Sequence, residues 1–195
     1  AQATLPIAKL YQNDGLGNFS QKLGTTFLGA QSGSIAFADV TADGSQDVFI
    51  SGRGAMNTIG TGLYVNDGLG NYTLQVNTPF LNVFNSSVAF ADVDTNDTPD
   101  LLITGNINPA SSVTKLYLND GLGNFTQEPD TTFRFVGSSV IAFADVDGNQ
   151  MLDVVLSGED RAKNRITRLY LNEGIISTFI EQDLIESEEN LTFYP

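Results

Sequence analysis

The chain has 195 residues, 41% of them hydrophobic and only 16% charged, which is enough apolar material for a folded core and excludes a disordered polymer. Its formal charge of −14 disfavours a nucleic-acid surface or an anionic membrane as partner. The lack of Cys and His excludes disulfides, zinc–thiolate sites, thiol nucleophiles and serine–histidine triads. Thirteen Phe, six Tyr and 19 Gly favour strands and tight turns, and no apolar run is long enough for a membrane-spanning helix. The start at Ala1 reads as that of a mature or excised segment.

In chain order, residues 1–30 carry the first copy of a recurring block, YQNDGLGNF from Tyr11. YVNDGLGNY follows from Tyr64, YLNDGLGNF from Tyr117 and the weaker YLNEGIIST from Tyr170, each 53 residues after the last. A second block, AFADV, keeps the same period at 36–40, 89–93 and 142–146. An acidic loop follows each AFADV, then an apolar run ending in Gly: DVFISG at 47–52, DLLITG at 100–105 and DVVLSG at 153–158. Each repeat therefore predicts four short strands, a to d. Strand a carries AFADV, strand b the DVFISG-type run, strand c the LYxN stretch, and strand d follows the Asn-Asp-Gly turn.

Strand a is apolar on both faces, with Ile35 and Phe37 on one side and Ala36 and Ala38 on the other. A strand buried on both sides belongs to a sheet packed between neighbours, and a period near 50 residues suits a four-stranded propeller blade. A parallel β-helix competes, but its rungs are shorter. The expected fold is all-β, about three and a half blades. A half blade of strands c and d spans 1–30, and full blades span 31–83, 84–136 and 137–182. Residues 183–195 form an acidic tail or the start of a further blade.

The acidic loops carry the chemistry. They read Asp39-Val-Thr41-Ala-Asp43-Gly-Ser45-Gln-Asp47, Asp92-Val-Asp94-Thr-Asn96-Asp-Thr98-Pro-Asp100 and Asp145-Val-Asp147-Gly-Asn149-Gln-Met151-Leu-Asp153. Oxygen-bearing side chains fall at loop positions 1, 3, 5 and 9 in all three. A tight loop turns positions 1, 3 and 5 onto one centre, and position 9 closes the shell from strand b. Position 7 is Ser45, Thr98 or Met151, so a backbone carbonyl is the expected ligand there. Three carboxylates per loop without nitrogen or sulfur suit Ca²⁺, about three ions in all, with Mg²⁺ or Mn²⁺ as poorer matches. The plainer reading is that these aspartates only make Asx-turns.

At these residues the sequence resembles the FG-GAP/VCBS repeat family, which includes the integrin α-subunit propeller. The resemblance covers AFADV, the acidic loop, the strand after it and LYxNDGxGxF, nearly the whole chain. It implies a β-propeller with Ca²⁺ in the a–b hairpins, held by Asp39, Thr41, Asp43, Ser45, Asp47 and the matching residues of the other loops. The literal Gly-Ala-Pro element is absent, so integrin-like ligand binding does not follow. Known members include adhesins, lectins, surface proteins and some polysaccharide lyases, so the fold does not fix the function.

Three and a half blades do not close a ring by themselves. Either the chain belongs to a longer array or another chain completes it, and open blade edges favour self-association. The leading expectation is an extracellular, secreted or cell-surface, non-enzymatic structural or adhesive module that pairs with copies of itself or further repeats. A carbohydrate-binding module is the alternative, with Tyr72 and Phe125 as candidate stacking aromatics, and a fragment of a polysaccharide-degrading enzyme is a third. Sequons begin at Asn18, Asn71, Asn124, Asn85, Asn96 and Asn190, and the plainer reading of the first three is that they serve the c–d turn. Arg161, Lys163, Arg165 and Arg168 form the chain's basic cluster, read as a solvated hairpin.

Overall fold

A computed structural model describes residues 6–129, 131–174 and 178–182. The expected tail at 183–195 and the Asn190 sequon lie outside the described residues. The fold is all-β, with three four-stranded antiparallel sheets preceded by a two-stranded half. The half pairs β1 (Leu10–Asn13) with β2 (Phe19–Lys22). The first full sheet runs β3 (Gln31–Ala38), β4 (Asp47–Arg53), β5 (Ile59–Asn66), β6 (Tyr72–Leu74), and a short 3₁₀ turn, Ala55–Asn57, sits between β4 and β5. The second is β7 (Phe84–Ala91), β8 (Asp100–Asn108), β9 (Ser111–Asn119), β10 (Phe125–Gln127). The third is β11 (Gly137–Ala144), β12 (Asp153–Glu159), β13 (Arg165–Asn172), β14 (Phe179–Gln182). In each, neighbours in sequence are neighbours in space, as in a propeller blade.

Local sequence explains each sheet. The second strands, β4 and β8, carry an apolar run after their opening aspartate and are buried over six consecutive residues, because each lies in the interior of its sheet. The Asn-Asp-Gly turns between third and fourth strands are set by short-range bonds. Asn66 Oδ1 accepts the N–H groups of Gly68 and Gly70, and both glycines sit at φ +79°, a backbone region that favours glycine. The first strands begin earlier than AFADV suggests, because each carries a bulge. Its left-handed residue is Ser32, Asn85 or Ser138, at φ 50°, 45° and 49°.

Between consecutive sheets the core repeats. The first sheet offers Val40, Phe49 and Leu63 to Phe80, Val83, Val88, Leu101, Ile103, Tyr117 and Phe125. One period later Val93, Leu102 and Leu116 meet Phe133, Val136, Ile141, Val154, Leu156, Tyr170 and Phe179. An aromatic clamp anchors each connecting segment. Phe27, Phe80 and Phe133 lie edge-on to Tyr64, Tyr117 and Tyr170, with ring centroids 5.0, 5.1 and 4.9 Å apart. Each tyrosine hydroxyl accepts the N–H of the residue after that Phe: Leu28, Leu81 or Arg134. First strands of adjacent sheets touch, and Ser34 and Ser87 hydroxyls accept the N–H groups of Val88 and Ile141.

The first strand of the first full sheet departs from the expectation of burial on both faces. Ile35 is 58% exposed and Phe37 51%, whereas Val88 and Ile141, the counterparts of Ile35, are 7% and 9% exposed. The half sheet contributes two strands where each later interface has four, so this face is only partly covered.

Phe80 touches Phe49, Tyr117 and Phe125 at once. Phe80→Ala is expected to destabilise the fold by about 3–5 kcal/mol, while Leu122→Ala, at a residue 72% exposed, changes it little. Urea denaturation followed by circular dichroism measures both, and equal effects would contradict this packing.

Candidate metal centres

Each acidic loop joins the first and second strands of a sheet, and its last aspartate opens the second strand. Asp47, Asp100 and Asp153 are buried, with at most 1% of their surface exposed. Their burial is compensated by main-chain donors. Asp47 accepts the Val40 N–H at 3.0 Å and the Asn66 N–H at 2.8 Å. Asp100 accepts Val93 at 2.9 Å and Asn119 at 2.9 Å. Asp153 accepts Val146 at 2.7 Å and Asn172 at 2.9 Å. One carboxylate thus fixes both the start of its loop and the end of the third strand.

Positions 1, 3 and 5 wind the rest of each loop. Asp39 accepts the N–H groups of Asp43 and Gly44, and Asp43 accepts that of Ser45. Asp92 accepts Asn96 and Asp97, Asp94 accepts Asn96, and Asn96 accepts Thr98. Asp145 accepts Gly148 and Gln150, Asp147 accepts Asn149, and Asn149 accepts Met151. Positions 4 and 6 are left-handed in all three loops, whether the residue is Gly148 or the β-branched Thr95 at φ 61°. The Asx-turn reading and the cation-loop reading describe one geometry here. The carboxylates that collect backbone N–H groups are also the ones brought together.

Two sets converge. Asp92, Asp94 and Asp100 present carboxylate oxygens within 4.8 Å of one another, and so do Asp145, Asp147 and Asp153. Oxygens on opposite sides of one cation at about 2.4 Å would be about 4.8 Å apart, so both sets match a single oxygen-liganded divalent ion. Of the three loops, the second and third bring three carboxylates this close together. Among the described residues, Asp39, Asp43 and Asp47 form no third set of this closeness. The reason is at position 3, where Thr41 stands in place of Asp94 and Asp147. It brings a neutral hydroxyl that is buried and without a hydrogen-bond partner.

The other expected ligands take part in hydrogen bonds and contacts of the loops and turns. The Asn96 and Asn149 amides donate to the carbonyls of Asn119 and Asn172, and their Oδ1 atoms accept the position 7 N–H groups. Thr98 donates its hydroxyl to the Asn119 carbonyl. Ser45 Oγ and the Met151 side chain lie beside Gly68 and Gly174 of the third-to-fourth-strand turns. The Met151 side chain packs on its turn, which leaves its carbonyl as the oxygen it can offer.

Electrostatics mark the second loop. Burial is the main force pushing the Asp100 carboxyl up from 3.8 to about 7, with Asp94 and Asp92 adding to the rise and the Val93 and Asn119 N–H groups opposing it. Burial also raises Asp94, helped by Asp92. A bound cation supplies the positive charge that ionising all three requires.

The loops also grip the next sheet. The Val40 carbonyl accepts a bond from Asn119 Nδ2 at 3.0 Å, and the Val93 carbonyl accepts one from Asn172 Nδ2 at 2.8 Å. A Cβ on Gly123 would stand 3.2 Å from the Thr41 methyl, so the turn of the second sheet rests on the loop of the first. Whatever orders loop position 3 therefore also orders the seam.

These asparagines and the clamp tyrosines were present in the LYxN block, but their bonding roles depend on neighbours outside it. Asn18, Asn71 and Asn124 donate to Asp14, Asp67 and Asp120, so the three in-register sequons brace their turns. Phe125 is a buried core residue packed on Phe80, and Tyr72 is half-buried against Phe27 with its hydroxyl donating to the Gln46 carbonyl. A scan of protein-family models gives no match to the chain, and a search of curated proteins gives none either.

Without metal, folded Asp100 keeps a proton that the unfolded chain releases between pH 3.8 and about 7. Ionising Asp100 therefore costs stability as pH rises through that window, and a cation reverses the cost. Carboxyl-carbon NMR in chelator is expected to find Asp100 titrating near 7, and an added divalent cation to pull it down. Titration below 5 in chelator would contradict the burial argument.

Proposed function

We propose that the chain is a calcium-dependent, non-enzymatic repeat module of the FG-GAP/VCBS type that serves structural or adhesive work outside cells and associates with copies of itself. The observation that carries this is the pair of three-carboxylate sets, one in the loop whose Val93 fills the seam to the next sheet and one in the loop whose Val146 stands on the open outer face. All-oxygen donors suit calcium, and a few carboxylates in an exposed loop suit the weaker sites of extracellular modules. Each buried aspartate has both oxygens on main-chain donors, a structural commitment that supports binding rather than acid–base catalysis.

Self-association is supported by the third sheet's outer face. Val146 is 52% exposed and Val155 37%, whereas their counterparts Val40, Val93, Phe49 and Leu102 are at most 1% exposed in the internal seams. At the other end, Ile35 and Phe37 are exposed, and Asn66 Nδ2 reaches only the Gln46 carbonyl of its own sheet among the described residues. Asn119 and Asn172 each bond a valine carbonyl of the preceding sheet in addition. A second copy's third sheet offers Val146 and Val155 to the first sheet of its neighbour, continuing the internal seam.

Isothermal titration is expected to find two calcium sites, with Asp94→Asn and Asp147→Asn each removing one. Calcium at a hundredfold excess over Kd stabilises by about 2.7 kcal/mol per site, raising the melting temperature by several degrees. An unchanged melting temperature between chelator and calcium overturns the metal reading.

In sedimentation velocity with calcium, mass is expected to rise with concentration, and Val155→Asp or Ile35→Asp to suppress the rise. A strict 20.9 kDa monomer at all concentrations refutes self-association.

A further inference from the structure

The repeat supplies its own control for which residues the fold requires. Positions that build the seams keep one residue type in every full sheet: Asp47, Asp100 and Asp153; Asn66, Asn119 and Asn172; Tyr64, Tyr117 and Tyr170. Positions where one copy departs from the others, and whose departures gather at one place, require another explanation. The third sheet has such a gathering. Arg134 stands where the earlier repeats have Leu28 and Leu81, and Phe135 where they have Gly29 and Asn82. Arg161 replaces Ala55 and Asn108, and Asp160 replaces Gly54 and Ile107.

These four residues, with Arg168 and Glu181, line one cavity of about 710 Å³ between the segment leading into β11, the β12–β13 hairpin and the outer strands β13 and β14. A cavity of this size suits a small polar ligand. Three of the chain's nine basic residues meet there, although the whole chain carries −14. Glu181 bridges two of them, accepting from Arg168 Nε at 2.9 Å and from Arg134 Nε at 3.2 Å. It thereby fixes the planes of both guanidinium groups. Arg134 uses only its Nε, so its terminal amino groups are uncommitted among the described residues. Arg161 makes one long bond, 3.3 Å to the Ser112 carbonyl, and its guanidinium carbon stands 5.3 Å from the centre of the Phe135 ring. Phe135 itself is 42% exposed. The rim adds the Asp160 carboxylate, whose oxygens accept the Asn164 N–H at 2.8 Å and Asn164 Nδ2 at 2.9 Å.

We propose that this cavity binds an acidic sugar, a pyranose ring carrying a carboxylate. The terminal amino groups of Arg134 and the Arg161 guanidinium, which holds one long bond to Ser112, take the carboxylate through charge-assisted bonds. The exposed part of the Phe135 ring takes the apolar C–H face of the sugar. Each Asp160 oxygen keeps lone-pair capacity beyond its Asn164 bond and accepts from ring hydroxyls. An acidic peptide would use the arginines but would leave the aromatic face without a matched surface, so the sugar is the better partner. This site is independent of the metal loops and of self-association, and its failure leaves both untouched.

The test uses the whole protein with calcium present and two probes, methyl β-glucuronide and neutral methyl β-glucoside, followed by NMR. Glucuronide is expected to give saturable shifts at Phe135 and the Arg161 Nε–H, with the glucoside weaker by about tenfold or more. Arg161→Gln and Phe135→Ala are each expected to weaken glucuronide binding by about tenfold. Both residues are exposed, and an unchanged melting temperature certifies the fold of the variants. Equal response to the two sugars, no saturable shift at tens of millimolar, or unaltered binding in both variants overturns the proposal. A glutamate-rich peptide that binds the same residues more tightly than glucuronide overturns it in favour of a protein partner.

Discussion

A carboxylate removed from water must find donors, and in this chain it finds them on the main chain. Asp47, Asp100 and Asp153 each accept one N–H from the acidic loop that precedes them and one from the far end of the third strand. Those two bonds hold three segments of each sheet in one arrangement. The loop's valine is thereby fixed, and in the first two sheets its side chain fills the seam while its carbonyl takes the next sheet's asparagine. The same constraint that shapes a loop for a cation thus also docks one sheet on the next.

Coupling of this kind makes the molecule nearly one-dimensional. The main contacts between full sheets, β3 and β4 with β7, and β7 and β8 with β11, join each sheet to the next in sequence, so stability is approximately a sum of sheet terms and seam terms. The ends then differ from the middle for a physical reason. Residues that are buried at internal seams become exposed at the terminal faces, as Val146 and Val155 are. Propeller-like stacking satisfies an interior sheet completely and a terminal one only in part.

The copies are unequal in chemistry even though their backbones agree. Thr41 takes the place of a carboxylate at position 3 of the first loop, whose third aspartate is Asp43 at position 5, and the other two loops keep a tight three-aspartate set. The third sheet exchanges leucine, asparagine and alanine for arginine and phenylalanine around one cavity. A fixed scaffold with variable positions is how repeat architectures acquire distinct surfaces.

The 53-residue period, the four strands per repeat, the acidic loops and the Asn-Asp-Gly turns were all legible in the sequence, because each is a local pattern of residue type and spacing. Local periodicity fixes which face of a strand is apolar, and Gly or Asn at a turn fixes its backbone. What covers an apolar face is decided elsewhere in the chain. Strand pattern alone treated Ile35 and Val88 alike, yet one is exposed and the other buried, since only Val88 has a complete sheet against it. Thr41 set the first loop apart in the sequence, but which carboxylates meet was decided by the folded loop. Bonds such as Asn119 to Val40 span 79 residues, and the Arg134 cavity joins segments from residue 132 to residue 181. The sequence by itself determined the sheets and their turns; the seams, the two three-carboxylate sets and the arginine cavity required the chain to be packed, because their partners are distant in sequence and meet only in space.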